Sequence, residues 1–148
     1  MKGKLLVASI VVFTLLFTAG LWYTQTRAYY TQLEGVEEIE VAGQRLAVRA
    51  YRGIDADTSP MKIRACLELD PSAISAPVAT KATPLQAPSW FECFDAGTLQ
   101  ADLQAGRAVA YLAGDETPEG ASTYEILRYL AVYPDGRAFL WRQYNKLD

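Results

Sequence analysis

The sequence predicts an α+β protein, in which an N-terminal transmembrane helix precedes a small domain with a mainly antiparallel sheet of five or six strands and one short helix. Three observations predict this fold class. Residues 5–23 form an almost wholly apolar run without a charged side chain. Alternation of apolar and polar residues, the period of a strand, dominates the rest of the chain. One segment, after Asp95, carries the start and stop signals of a helix instead.

The apolar run is long enough to cross a membrane. About nineteen residues at about 1.5 Å each give a helix of about 28 Å, close to the ~30 Å core of a bilayer. We place the transmembrane helix at residues 5–24. Cleavage by signal peptidase requires small residues at positions −3 and −1, but Phe17 occupies −3 for a cut after Ala19. A cut after Ala28 lies far from the apolar run, so we expect an uncleaved anchor.

The charges that flank the run predict its orientation. Lys2 and Lys4 precede it, whereas only Arg27 follows closely. Because positively charged flanks stay in the cytoplasm, residues 1–4 are expected to be cytoplasmic and the rest of the chain exported.

Beyond the membrane, an exit helix is predicted at residues 25–35, with Gly35 as its C-terminal stop. The globular domain is predicted at residues 36–148. Because almost no linker follows Gly35, we expect this domain to stand close to the membrane surface.

Four aromatic residues surround the membrane exit. Trp22 and Tyr29 are seven residues apart, as are Tyr23 and Tyr30, so each pair shares one face of a continuous helix. Such a stripe contacts a partner protein or, more commonly, seats against its own domain or the lipid interface. Both interpretations stay open at this point.

Within the domain, alternation predicts two hairpins and two further strands. The first hairpin turns at Ala42–Gln44, and the second at Pro134–Gly136, where Pro, Asp and Gly suit a type I turn with a bulge. A short helix is predicted at residues 96–105, capped by Asp95 and ended by Gly106. Residues 114–120 read as an acidic surface loop. The strands are predicted at residues 38–41, 45–51, 61–69, 107–113, 124–133 and 137–144.

Between two of these strands, residues 70–89 show no periodicity and contain four of the seven prolines. A long loop without regular structure is unusual inside a compact domain. It therefore indicates a role in binding or in bracing the fold.

Composition excludes several kinds of chemistry. The chain has no histidine, which removes Ser–His and Cys–His nucleophile pairs and histidine-ligated metal or haem. Two cysteines do not complete a four-thiolate site, and no phosphate-binding loop is present. We expect no catalytic residues, no metal and no cofactor. After Lys4, the chain contains 12 basic and 17 acidic residues. This net charge of −5 disfavours the binding of nucleic acid.

The two cysteines are the most informative pair in the domain. An exported domain is in an oxidising compartment, where Cys66 and Cys93 are expected to form a structural disulfide. Alternation places Cys66 on the polar face of its strand, with Arg64 and Glu68. A bridge would pull the loop and its aromatic residues over that face. The alternative, a redox-active pair, fits poorly because such cysteines usually lie close in sequence.

Four segments carry a resemblance: MKGKLL at the start, WYTQTRAYY at the membrane exit, KIRAC around Cys66 and WFECF around Cys93. They resemble a family of short alphaproteobacterial single-span membrane proteins that is classed as a domain of unknown function. The resemblance implies a bacterial envelope protein, with its anchor in the inner membrane and its domain in the periplasm. It supplies no mechanism and no site residues.

Three functions compete on these grounds. The first is a membrane-anchored periplasmic accessory or assembly protein that binds another membrane protein. The second is a tethered periplasmic domain that binds a small molecule between the sheet and the proline-rich loop. The third, an envelope enzyme using carboxylates or lysine, has no recognisable motif. For the first, the candidate contact residues are Trp22, Tyr23, Tyr29, Tyr30, Trp90 and Phe91.

Overall fold

The computed structural model describes residues 1–26 and 29–148, which form two compact units, Met1–Tyr30 and Thr31–Asp148. The first unit contains helix α1, Lys2–Thr26. Apolar side chains cover all of its faces, and it is long and apolar enough to cross a membrane. The hydroxyl groups of Ser9 and Thr14 donate to carbonyl oxygens one turn earlier, which satisfies them without water. By length and composition, α1 is a possible membrane anchor.

The second unit is built on one six-stranded antiparallel sheet with the order β1-β4-β5-β8-β7-β6. A two-stranded hairpin, β2 and β3, and one short helix, α2, complete it. This architecture confirms the predicted fold class. The elements are β1 Thr31–Glu34, β2 Glu38–Val41, β3 Gln44–Ala47, β4 Arg49–Asp55, β5 Arg64–Glu68, α2 Ala96–Gln104, β6 Val109–Asp115, β7 Tyr124–Val132 and β8 Arg137–Lys146.

The predicted exit helix at residues 25–35 is wrong. Helix α1 ends at Thr26, and Thr31–Glu34 is a strand that pairs with β4. The side chain of Leu33 packs against the core, so burial in the sheet outweighs any helical preference of this segment. Residues 27 and 28 of the predicted helix lie outside the described residues. Gly35, with φ +71°, ends a strand instead of a helix.

One face of the sheet, called the first face, is covered by the β2–β3 hairpin. Val41 and Leu46 of the hairpin pack with Leu67, Leu130 and Leu140 of the central strands. The hairpin turns through Ala42 and Gly43, whose φ angles of 50° and 79° are the positive values that a two-residue type I′ turn requires.

The opposite face, called the second face, is covered by α2 and by residues 77–94, which we call the covering segment, whereas Ile74 and Ala76 still pack against the core of the first face. Phe94 and Leu99 pack with Cys66, Tyr129 and Trp141. The central strands therefore have apolar side chains on both faces, and the fold has three layers instead of two.

Helix α2 is fixed at both ends by carboxylates. The side chain of Asp95 accepts a hydrogen bond from the backbone N–H of Thr98, the N-cap contact that the sequence predicts. Asp102 accepts a hydrogen bond from the hydroxyl of Tyr133 on the second face. Burial and this hydrogen bond raise the pKa of Tyr133 to about 12, so the hydroxyl remains a donor at neutral pH.

Five of the six predicted strands have different bounds. Strand β7 ends one residue earlier and β8 ends two residues later than predicted, and three others are shifted, divided or shortened. The strand predicted at 107–113 is Val109–Asp115, because the N–H groups of Arg107 and Ala108 still donate to the carbonyl of Asp102. Its last two residues belong to the predicted acidic loop.

The strand predicted at 45–51 is divided at Val48 between β3, which pairs with β2, and β4, which pairs with β1 and β5. Within β4, Ala50 has φ +51° and the pairing register shifts beside it. The strand predicted at 61–69 is reduced to β5, because Pro60–Lys62 forms a 3-10 turn.

The turn between β7 and β8 confirms the second predicted hairpin. Gly136 has φ +95°, and its carbonyl accepts a hydrogen bond from the N–H of Leu69 at 2.9 Å. A Cβ atom at this position would lie 2.7 Å from the carbonyl oxygen of Leu69. The turn thus requires glycine both for its backbone angle and for its contact with the residue after β5.

We predict that Gly136→Ala lowers the free energy of unfolding by about 2 kcal/mol or more, because backbone strain and a steric clash act together. Gly120→Ala is the matched control, since Gly120 has φ +83° but no neighbour within 4 Å of its added Cβ. It should cost only about 1 kcal/mol. Urea unfolding of the full-length protein in mild detergent measures both. Equal losses would contradict the role of the Leu69 contact.

Candidate functional site

Cys66 and Cys93 form the disulfide that the sequence predicts, with their Cα atoms 6.3 Å apart. The bridge closes a loop whose ends are 27 residues apart in sequence. In the loop-entropy estimate such a closure is worth about 3.5 kcal/mol. It attaches the end of the covering segment to the middle of the sheet.

The polar face of β5 is buried at Arg64 and Cys66 and exposed only at Glu68, although its sequence is typical of a solvent-facing surface. Cys66 and Arg64 are only 7% and 6% exposed. Phe94 lies over this face with its ring edge-on to Trp141 and Phe139. As predicted, the bridge brings the aromatic residues over the strand.

Arg64 of β5 holds the covering segment against the second face of the sheet. Its guanidinium donates to the backbone carbonyls of Leu85 at 2.8 Å and Gln86 at 3.4 Å, and also to the carbonyl of Met61 at 2.6 Å. The same guanidinium lies 5.8 Å from the ring centre of Phe94. A buried arginine thus supplies donors to carbonyls that have no strand or helix to pair with.

Gln143 of β8 does the same for the earlier part of the segment. Its side-chain oxygen accepts from the N–H of Thr83 at 2.7 Å, and its amide nitrogen donates to the carbonyl of Lys81 at 2.9 Å. Gln143 is only 8% exposed. The proline-rich loop is therefore braced against the sheet, one of the two roles that its composition indicates.

The cover of the second face stops at the disulfide, which leaves an open groove over the outer strands β1 and β4. We call this cavity of about 230 Å³ the edge groove. The sheet forms its floor and residues 90–93 form its wall. The lining residues are Gln32, Glu34, Arg52 and Gly53 in the floor and Trp90, Phe91, Glu92 and Cys93 in the wall.

The edge groove combines opposite charges with aromatic rings. Glu34 and Arg52 are cross-strand neighbours on β1 and β4, and Glu92 is exposed on the wall. Within residues 1–26 and 29–148, none of these three side chains forms an ion pair or a hydrogen bond. They are available to a bound molecule.

A second recess of about 400 Å³ continues along the disulfide and shares Arg52 and Cys93 with the edge groove. Glu68, Arg137 and Phe139 also line it. The guanidinium of Arg137 is engaged with Asp135 at 2.8 Å and lies over the ring of Tyr133. The two recesses together follow the boundary between the covered and the open part of the sheet.

The structure brings two of the predicted contact residues together. Trp90 and Phe91 are adjacent, half-buried and edge-to-face, with ring centres 6.3 Å apart. In the first unit, Trp22, Tyr23 and Tyr29 are 56%, 55% and 53% exposed.

The predicted helical stripe is wrong. Tyr29 lies in a turn and not in α1, so it does not continue the helical face of Trp22, and Tyr30 is half-buried outside the helix.

A separate cluster of charges lies on the first face. Glu116 pairs with Arg128 and with Arg142, and Arg142 also approaches Asp55 at 3.7 Å. Burial and the nearby carboxylate of Asp55 raise the pKa of Tyr51 beside this cluster. Two arginines and two carboxylates balance one another and connect the strands, so we assign the cluster a structural role. No group of three or more metal-binding side chains occurs in the part of the chain that the structure describes.

Sequence reasoning missed the charged part of the edge groove. These residues belong to segments that the sequence predicts as helix, hairpin end or loop: Gln32, Glu34, Arg52 and Glu92. The pairing of Arg52 with both Glu34 and Cys66 places the three on one face, and only the sheet order reveals it. One signal in the sequence points to the charged part of the edge groove, namely the position of Glu92 between Phe91 and Cys93.

These features define an α+β domain that follows a candidate membrane helix and carries a mixed-charge groove at one edge of its sheet. The chain belongs to the Family of unknown function (DUF6446), whose model matches residues 33–148. Comparisons with curated proteins and with solved structures gave no match.

We predict that replacing Cys66 and Cys93 together by serine lowers the free energy of unfolding by about 2–5 kcal/mol, as the loss of a disulfide does in small exported domains. Peptide mapping of the native protein without reduction should recover both cysteines in one linked species. Free thiols in protein isolated from its own membranes would contradict the claim.

Proposed function

We propose that this protein is a membrane-anchored periplasmic accessory or assembly protein that binds another membrane protein. The observation that carries the proposal is the position of the edge groove in the chain. Its floor begins at Gln32, six residues after the last residue of α1. Its wall offers Trp90 and Phe91, and aromatic residues are prominent in the cores and hot spots of protein interfaces.

The short connection to the helix supports this function. Four residues separate Thr26 from Thr31, the first residue of β1. Since an extended chain spans at most about 3.6 Å per residue, this connection covers no more than about 18 Å. A domain on such a tether meets neighbouring membrane proteins at high effective concentration, whereas a freely diffusing substrate gains nothing from the anchor.

The proposed location is the bacterial inner membrane, with the N-terminus in the cytoplasm and the domain in the periplasm. Lys2 and Lys4 before the helix favour this orientation. The Cys66–Cys93 disulfide supports an oxidising compartment, because such bridges are rare in the cytosol.

A second candidate function is the binding of a small molecule in the edge groove. The lining favours it, since Arg52 lies among the carboxylates of Glu34 and Glu92 and two aromatic rings, a set that suits a small zwitterion. The cavity of about 230 Å³ is smaller than most ligand pockets, which span roughly 300–1,000 Å³. Purification in mild detergent separates the two functions: a stoichiometric companion favours the first, and a lone stable monomer the second.

For the topology, we predict that alkaline phosphatase fused after Asp148 is active, because the positive flank keeps only the N-terminus inside. The enzyme folds only in an oxidising compartment, so its activity reports export. Reversal of both lysines, Lys2→Glu with Lys4→Glu, should reduce the reporter signal. An inactive fusion, or a mature N-terminus near Ala28, would contradict this topology.

For the partner, we predict that photo-crosslinkers at Tyr29, Tyr30 and Trp90 form adducts with one defined membrane protein in intact membranes. The contact is expected there because these aromatic positions adjoin the anchor in sequence or form the wall of the edge groove. Ser122, exposed in the loop before β7, is the control position and should give no such adduct. Adducts with lipid alone would refute partner binding at these residues.

A further inference from the structure

The two edges of the sheet differ in whether another segment of the chain pairs with the edge strand. At the β6 edge, residues 77–79 run alongside the strand. The N–H of Ala79 donates to the carbonyl of Ala110 at 2.8 Å, and the N–H of Leu112 donates to the carbonyl of Pro77 at 2.9 Å. Val78 forms a bridge with Tyr111 between these two bonds. The covering segment thus occupies this edge.

At the β1 edge, no described residue pairs with the outer side of the strand. Three of the four residues of β1 are exposed, and only Leu33 is half-buried, toward the first face. Backbone N–H and C=O groups on an open edge are a template for one more strand. The chain covers one edge and leaves the other open.

The open edge also borders the edge groove. Because side chains alternate along a strand, Gln32 and Glu34 point toward the second face, opposite to Leu33. They form the outer part of the groove floor, and Arg52 lies one strand further in, as the cross-strand neighbour of Glu34. An added strand would place every second side chain beside Gln32 and Glu34, within reach of the Trp90 and Phe91 wall.

We infer that β1 binds an extended, basic segment of the neighbouring membrane protein by β-strand addition, with alternate side chains entering the edge groove. This inference rests on the proposed function and specifies its binding mode. In such recognition, backbone hydrogen bonds provide affinity and the side-chain pockets provide specificity.

The charges at the edge select a basic segment. Glu34 is the side chain that an added strand meets first on the second face, and Glu92 is exposed on the facing wall. Opposite charges directly across two strands stabilise their pairing. Arg52 does not reverse this preference, because it lies on β4, one strand further from the open edge than Glu34. The acidic character continues after β1 with Glu37 and Glu38, both exposed.

The same charges disfavour a second copy of this chain as the occupant. In the antiparallel self-pairing that places Leu33 opposite its counterpart, the two copies of Glu34 become diagonal neighbours. Such neighbours are about 7–8 Å apart, and like charges across a sheet are unfavourable. The acidic residues after β1 add to the repulsion. A basic segment of another protein avoids this repulsion.

The inference is tested in the full-length protein in its own membranes, with a photo-crosslinker at Gln32. The matched control is Val78, which is 63% exposed and lies on the covered edge. Position 32 should form an adduct with a membrane protein, and mass spectrometry should map the adduct to an extramembrane segment that contains Lys or Arg. Position 78 should form no such adduct.

Charge reversal tests the choice of segment. Glu34→Lys should lower the yield of the adduct by about fivefold to tenfold, because it replaces an attraction by a repulsion. Glu92→Lys should act in the same direction without altering β1 itself. Glu119→Lys, at an exposed position in the loop before β7, is the matched control for the change of charge and should leave the yield within about twofold. A synthetic peptide of the mapped segment should also slow hydrogen exchange of the β1 amides.

The outcomes separate the binding mode from the function. Adducts from position 90 without adducts from position 32 would refute strand addition and leave partner binding intact. An adduct between two copies of the chain at position 32, or with lipid alone, would also overturn the inference. If neither position forms an adduct with any membrane protein, both the inference and the proposed function fail.

Discussion

The structure depends on the cover of the second face of its sheet, which the Cys66–Cys93 bridge holds in place. This cover contains only one short helix, and the rest is a segment without regular secondary structure. Such a segment gains little from backbone pairing, so it needs external constraints to remain ordered. The disulfide supplies one, and the burial of Phe94 against Trp141 and Phe139 supplies another. The edge groove exists because this cover ends at the bridge.

Two buried polar side chains complete the attachment. Arg64 and Gln143 lie on the sheet beneath the covering segment and pair with its backbone groups. An unpaired buried carbonyl costs about 1–3 kcal/mol, so a proline-rich segment on an apolar sheet would be unstable without such donors. Polar residues such as Arg64 and Gln143 give the second face the sequence pattern of a solvent-exposed surface. The same residues allow the covering segment to lie on this face, because they pair with its backbone groups.

In the proposed function, the open edge of β1 is used because it follows closely after the helix that is a possible membrane anchor. An unpaired edge strand is a hazard in a freely diffusing protein, because it invites uncontrolled association. Here β1 is only four residues long, is followed by acidic residues, and begins five residues after the end of a helix that can span a membrane. Short length and like charge limit self-association, and in the proposed function the tether restricts the encounters of the edge to the membrane surface. The same features favour selective binding over aggregation.

The sequence by itself determined the local elements. The apolar run defined α1, the Asp95 cap defined the start of α2, and the Pro-Asp-Gly turn defined the β7–β8 hairpin, because each depends on residues close in the chain. The disulfide also followed, since only two cysteines are available. The sequence did not show that residues 31–34 form a strand, because pairing with β4 and burial of Leu33 decide it.

Nor did it show that β7 and β8 are buried on both faces, although their nearly continuous apolar runs are typical of such strands. Only the tertiary structure placed Glu34, Arg52 and Cys66 in one row and left the β1 edge open. Strand order is set by long-range packing, and no short segment of sequence records it.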